Sequence, residues 1–204
     1  MGKTFTICEY KLMQFPFFKF LILFFSFFVF SNAHSLQIPS NLQGKSLIND
    51  EVVQLSSEKS KALVVVFLSA KCPCSNSHNS ELQDLALKFP DFKFVAVHSN
   101  ADEDKTLAHN YFKKVSFPFP VIRDEKAKLA DHFKALKTPH AFLISSKNEI
   151  LYQGGISNSK DCEKADRKYL REALTDVQQN QPIRTPEGRT LGCAISRGET
   201  NVWK

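Results

Sequence analysis

ALVVVFLSAKCPCSNSH, residues 62–78, joins a continuous apolar run to two cysteines one residue apart, with a histidine four residues after the second. Seven apolar residues with no polar interruption have strand length and no alternation, the pattern of a central strand covered on both faces. Pro73 suits a first helical position, where its missing N–H costs nothing. Leu82, Leu85, Ala86 and Phe89 then repeat at helical spacing until Pro90 stops the run. The spacing predicts a strand over 62–68, Cys72 at a helix N-terminus and a helix to Phe89.

Outward from this stretch the alternation of strand and helix continues. FKFVAV (92–97) reads as a strand, and 102–114 as a helix with acidic residues in its first turn and Leu107, Tyr111 and Phe112 on one face. After the extended FPFPVIR, a helix is expected over 124–136 with Leu129, Phe133 and Leu136 inward. AFLIS (141–145) and ILYQGG (150–155) flank a polar turn and predict an antiparallel hairpin, and a helix over 160–178 closes the domain on Leu170, Leu174 and Val177. On the N-terminal side, QGKSLINDEVVQL (43–55) suggests a hairpin or two short strands. The order implies an α/β fold, a central mixed sheet flanked by helices on both faces.

The cysteine pair has a specific chemical setting. Free backbone N–H groups and the helix dipole at a helix start stabilise a thiolate, the nucleophile of disulfide exchange. The carboxyl edge of a central strand is also where open α/β sheets place ligand crevices. A disulfide between Cys72 and Cys74 would close a small ring over Pro73 away from preferred torsions, so it would be strained, oxidising and labile. The partner thiol is therefore Cys74 or a distant cysteine, and Cys193, in the apolar patch LGCAI of an otherwise polar tail, is the candidate. Cys162, beside Asp161 and Glu163, reads as a bystander. A rival reading uses two soft thiolates and an imidazole for Cu(I), with Cys72, Cys74 and His78, or the distant His140, as ligands. A third makes the domain a scaffold with idle thiols.

The first 33 residues stand apart, holding ten of the nineteen Phe. Lys11 and Lys19 supply a basic region, Phe20 to Phe30 an apolar stretch, and Ser31-Asn32-Ala33 the small residues before a cut, the pattern of an export signal. Phe20 to Phe30 is too short to span a bilayer, so a membrane tie would come only through an uncleaved signal. Its removal takes three Lys and one Glu and lowers the formal charge from +6 to about +4, with no basic run to support nucleic-acid binding. The expected organisation is a signal over 1–33, a domain over 34–180 and a tail over 181–204, either a disordered extension or a strap. Export places Cys72, Cys74, Cys162 and Cys193 in a periplasmic or extracellular setting where disulfides persist.

VVVFLSAKCPC, the later KTPHAF (137–142) and the hairpin beyond it resemble the thioredoxin-like redoxins, the group that includes the alkyl hydroperoxide reductase and thiol-specific antioxidant proteins. The resemblance spans roughly residues 40–180. It implies that Cys72 attacks and that Thr138 and a cis Pro139 shape the groove receiving the partner chain; Lys71, next to Cys72 in sequence, is expected to help hold the thiolate. It further implies protein or small-molecule disulfides and thiols as partners, with no cofactor of its own and electrons exchanged with another protein or a small thiol. The Gly-Cys of the tail is similar to that of exported redoxins. Departures from a peroxidase pattern are specific: Ser69 meets a hydroxyl position, but Val65 stands where a Pro is expected and His140 where an arginine is expected. The expected function is an exported thiol–disulfide oxidoreductase in which Cys72 attacks and Cys74 or Cys193 resolves, with peroxidase activity or Cu(I) binding as alternatives.

Overall fold

The computed structural model describes residue 39 and residues 42–198; the expected signal and the last six residues lie outside them. In chain order it holds β1 (Gln43–Ser46), β2 (Val52–Gln54), β3 (Ala62–Leu68), α1 (Pro73–Ser77), α2 (Asn79–Lys88), β4 (Lys93–His98), α3 (Lys105–Val115) and β5 (Val121–Arg123). There follow α4 (Lys128–His132), β6 (Lys137–Thr138), β7 (His140–Ser145), β8 (Ile150–Gly154), α5 (Tyr169–Gln178) and β9 (Cys193–Ala194). Seven strands form one mixed sheet in the order β2-β1-β5-β4-β3-β7-β8, while β6 and β9 pair separately. β3 runs parallel to β4 and antiparallel to β7.

The unbroken apolar run of β3 is explained by two cores. Val64, Val66 and Leu68 face one cluster with Leu82, Leu85, Phe112 and Leu174. Leu63, Val65 and Phe67 face another with Val97, Phe133 and Phe142. Side chains of a strand alternate between faces, so a strand with helices on both sides needs no polar position. Phe67 is fully buried, edge-on to Phe133 at 5.6 Å and to Phe142 at 5.8 Å between centroids. Phe67→Ala is expected to cost about 3–5 kcal/mol in urea unfolding through the cavity it leaves.

Three expected helices differ from the sequence reading. The helix over 73–89 is broken at His78, because the Cys74 carbonyl is taken by side chains, His78 Nδ1 at 2.7 Å and Ser77 Oγ at 3.1 Å. The His78 N–H turns to Ser75 O instead, and the ladder resumes one turn on. The helix over 124–136 shrinks to α4, since Lys126 and Ala127 take left-handed backbone and Asp124 draws the Leu129 and Ala130 N–H groups onto its carboxylate at 2.9 Å. Leu136 consequently leaves the inward stripe and is 65% exposed. The helix over 160–178 starts only at Tyr169; residues 158–167 close a loop through Asn158 N to Arg167 O, and Asp161 holds a single 3-10 turn over Cys162–Lys164.

Beyond α5 the described tail is ordered along the domain. Arg184 is tied to the buried Asp176 by its backbone N–H and its guanidinium. Gly188 N–H donates to Gln153 O, and Gln153 N–H to Pro186 O, so the tail runs alongside β8. Thereafter it crosses to β6, buries Ile195 against the second core, and ends with Arg197 on Asp131 at 2.7 Å.

Candidate active site

The carboxyl end of β3 leads into a tight polar turn built on a carboxylate. Glu103, 1% exposed, accepts hydrogen bonds from the hydroxyl of Ser69, the Ala70 N–H (2.8 Å), Asn100 Nδ2 (2.9 Å) and His98 Nε2 (3.0 Å). Burial raises its pKa, but the hydrogen bonds from His98, Ser69, Asn100 and Ala70 outweigh that and hold it at about 2. Ser69 Oγ accepts the Cys72 N–H at 3.0 Å while donating to Glu103, and Ser75 Oγ accepts the Ser69 N–H at 3.3 Å. The carboxylate thus fixes the backbone that presents Cys72. Glu103, His98 and Asn100 escaped the sequence reading. Their signal was His98-Ser99-Asn100, a polar run directly after an apolar strand at the ligand-binding edge of the sheet.

Cys72 occupies the N-cap of α1 and is 1% exposed. Its thiol donates to the Thr138 carbonyl at 3.1 Å. Thr138 precedes the cis Pro139 and pairs with Cys193 across β6 and β9, which sets Cys193 beside the residue whose carbonyl the Cys72 sulfur contacts. Burial pushes the Cys72 pKa up. The Cys193 thiol and the main-chain N–H groups of Ser75 and Cys193, all turned toward the sulfur, outweigh it and bring the value from 9.0 to about 7. The converse holds at Cys193, which gives its hydrogen to Cys72 and is pushed up to about 11. Burial, the charge on Cys72 and a hydrogen bond to it raise Cys74 as well. Near neutrality the charge therefore resides on Cys72 and the protons on its two neighbours. All four described cysteines are thiols, and burial raises Cys162 well away from this cluster.

The structure corrects two residue expectations. Lys71 extends its ammonium to the Asp102 carbonyl at 3.0 Å and leaves the thiolate; the cation that favours ionisation of Cys74 and Cys193 is Lys160. His78 is buried with both ring nitrogens engaged, Nδ1 on Cys74 O and Nε2 on Ser157 Oγ at 2.8 Å, so it turns away from the sulfurs and is no third copper ligand to Cys72 and Cys74. Among the described residues, no three His, Cys, Asp or Glu side chains form a group that would hold a metal ion. His140 is pushed down to about 4 by burial and lies against Phe142 at 4.4 Å. Above that pH it is neutral, and it does not supply the cation of a peroxide-binding arginine.

A mixed sheet with a thiol at the start of the helix after its central strand, facing a cis X-Pro bond, defines a thioredoxin-like protein. Residues 35–153 match the model of the AhpC/TSA family, and the chain belongs to that family. It is similar to the thiol-disulfide oxidoreductase ResA of Bacillus subtilis (strain 168), 27% identical over 107 residues that cover 50% of this chain and 58% of that protein's length. Two solved structures share its fold. One is an uncharacterized conserved protein from Geobacillus kaustophilus, with TM-score 0.73, 24% identity and coverage of 81% of this chain and 93% of that one. The other is a hypothetical protein from Sinorhizobium meliloti 1021, with TM-score 0.71, 22% identity and coverage of 82% and 97%.

Proposed function

We propose that this protein is an exported thiol–disulfide oxidoreductase in which Cys72 attacks and Cys193 resolves. The Cys72 thiolate attacks one sulfur of a partner disulfide; a Cys72–partner bond forms, the partner's own bond breaks, and the departing sulfur leaves as a thiolate that takes a proton from water. Cys193 then loses its proton and attacks the Cys72 sulfur, which releases the second partner thiol and leaves a Cys72–Cys193 disulfide. An external dithiol protein or small thiol reduces that bond, and the same steps in reverse oxidise a partner dithiol. Partners are accordingly protein or small-molecule disulfides and thiols. The observation that carries the reading is geometric: the Cys72 sulfur lies 3.1 Å from the Thr138 carbonyl, and Thr138, ahead of the cis Pro139, pairs with Cys193. The name of the Bacillus subtilis relative supports the same reaction class, and the composition of residues 1–33 supports periplasmic or extracellular action.

Alkylation rates measured across pH test the assignment. Labelling of Cys72 by iodoacetamide is expected to rise with a midpoint near pH 7, because only the thiolate reacts. Cys162, raised by burial, is expected to label only above its ordinary 9.0. A Cys72 profile that follows Cys162 refutes the reading.

A further inference from the structure

The Cys72 sulfur is not open to a partner. Its residue is 1% exposed, and the Thr138 carbonyl and Cys193 both lie on it. The cover, however, is slight. β9 pairs with β6 over only two residues, Lys137 with Ala194 and Thr138 with Cys193, and both β9 residues are exposed. The firm holds lie to either side: Arg184 on Asp176 and Gly188 on Gln153 upstream, Ile195 and Arg197 downstream. A short exposed strand between two anchors delivers a cysteine, backbone extended, to the attacking thiol.

On the reading that Cys72 attacks, we propose that β9 is an internal stand-in for the partner: the β6 edge docks an extended polypeptide that carries Gly-Cys, and such a partner enters only by displacing β9. The glycine requirement comes from one close approach. A Cβ on Gly192 would lie 1.9 Å from Thr138 O, a main-chain atom that has no side-chain freedom to move aside. Any chain that repeats the β9 register and its backbone path, with the φ of +155° at Gly192, meets the same carbonyl one residue before its cysteine. The exposed Leu136 beside β6 offers apolar area to the partner's flanks, as its carbonyl already takes the Ile195 N–H. Recognition is then by strand addition, with main-chain hydrogen bonds for affinity and a steric check for specificity.

The test uses the full chain with Cys193→Ser, which keeps the strand and removes its thiol. The probes are disulfide dimers of acetyl-Leu-Gly-Cys-Ala-Ile-amide and of its Ala-Cys and Val-Cys analogues, with hydroxyethyl disulfide as a small control. Attack by Cys72 on a dimer forms one mixed disulfide and frees one peptide thiol, and mass spectrometry follows both. The Gly-Cys dimer is expected to react at least about tenfold faster than the Val-Cys dimer. Adding Gly192→Val or Ile195→Asp, either of which unseats β9, is expected to speed the Gly-Cys dimer at least about tenfold, and hydroxyethyl disulfide with it, because the covered sulfur is then reached and the open state is no longer a minor one. Near-UV circular dichroism checks that each variant is folded, and the Gly-against-Val comparison needs neither. Equal rates for the three dimers, or no gain on unseating β9, overturn the docking proposal while leaving Cys72 as the nucleophile. A Cys72 inert even to hydroxyethyl disulfide overturns both.

Discussion

Cys72→Ser is expected to remove disulfide exchange by at least about a thousandfold, since a serine hydroxyl stays protonated where the Cys72 thiol ionises at about 7. The two neighbouring cysteines are expected to separate in the same assay. Cys193→Ser retains the attack but not the release, so it accumulates a mixed disulfide with the partner that survives on non-reducing gels. Cys74→Ser continues to turn over, because Cys193, paired with Thr138 across β6 and β9, still stands beside Cys72 to resolve. Cys193→Ala also deletes the largest of the hydrogen bonds that hold Cys72 down, so the alkylation midpoint of Cys72 moves upward from about 7. Insulin reduction and trapping read the three serine variants. Trapping by Cys74→Ser, with full turnover in Cys193→Ser, would reassign the resolving role to Cys74.

Glu103→Ala is expected to destabilise the fold by about 3–5 kcal/mol in urea, because it leaves the buried Ser69 hydroxyl, Ala70 N–H, Asn100 amide and His98 imidazole without their acceptor. The same carboxylate sets an acid limit. Its pKa of about 2 in the folded protein lies below its ordinary 4.5. The stabilisation is therefore fully present above about 4.5 and is lost as pH falls toward 2, on the order of 3 kcal/mol in all. Urea unfolding from pH 7 down to pH 2 measures it. Glu103→Gln, which cannot ionise, is expected to begin less stable and to lose correspondingly less across that window; an equal acid loss in the variant would rule Glu103 out as its source.

Much of this molecule was legible in its chain. The unbroken run Ala62–Leu68 marked a strand covered on both sides, and the structure gives it one core on each face. Pro73 marked the helix start, and the turn between AFLIS and ILYQGG marked the hairpin of β7 and β8. The geometry also sets Cys72 beside Thr138 and a cis Pro139, 66 residues away. The strand, the helix start and the hairpin were visible because period and turn chemistry are local properties, written in consecutive residues, whereas the meeting of Cys72 with Thr138-Pro139 was implied only by the resemblance to the redoxins.

What escaped the sequence depends on side chains meeting across the fold. The break at His78 arises because its ring finds Ser157, 79 residues on, and takes the Cys74 carbonyl that a continuous helix would have used. The helix expected to reach Leu136 stops short because Asp124 holds the backbone of residues 129 and 130. Lys71 stood next to Cys72 in sequence, yet its ammonium reaches Asp102 instead. Order in the tail could not be read from Pro, Gly and Arg content, since it rests on Arg184 meeting Asp176, Gly192 passing Thr138 and Ile195 entering a core formed by distant strands. Periodicity determined which segments are strands and helices; only packing decided that a cysteine 121 positions after Cys72 would stand beside it across Thr138, because that proximity is set by a two-residue ladder between segments that sequence leaves 56 positions apart.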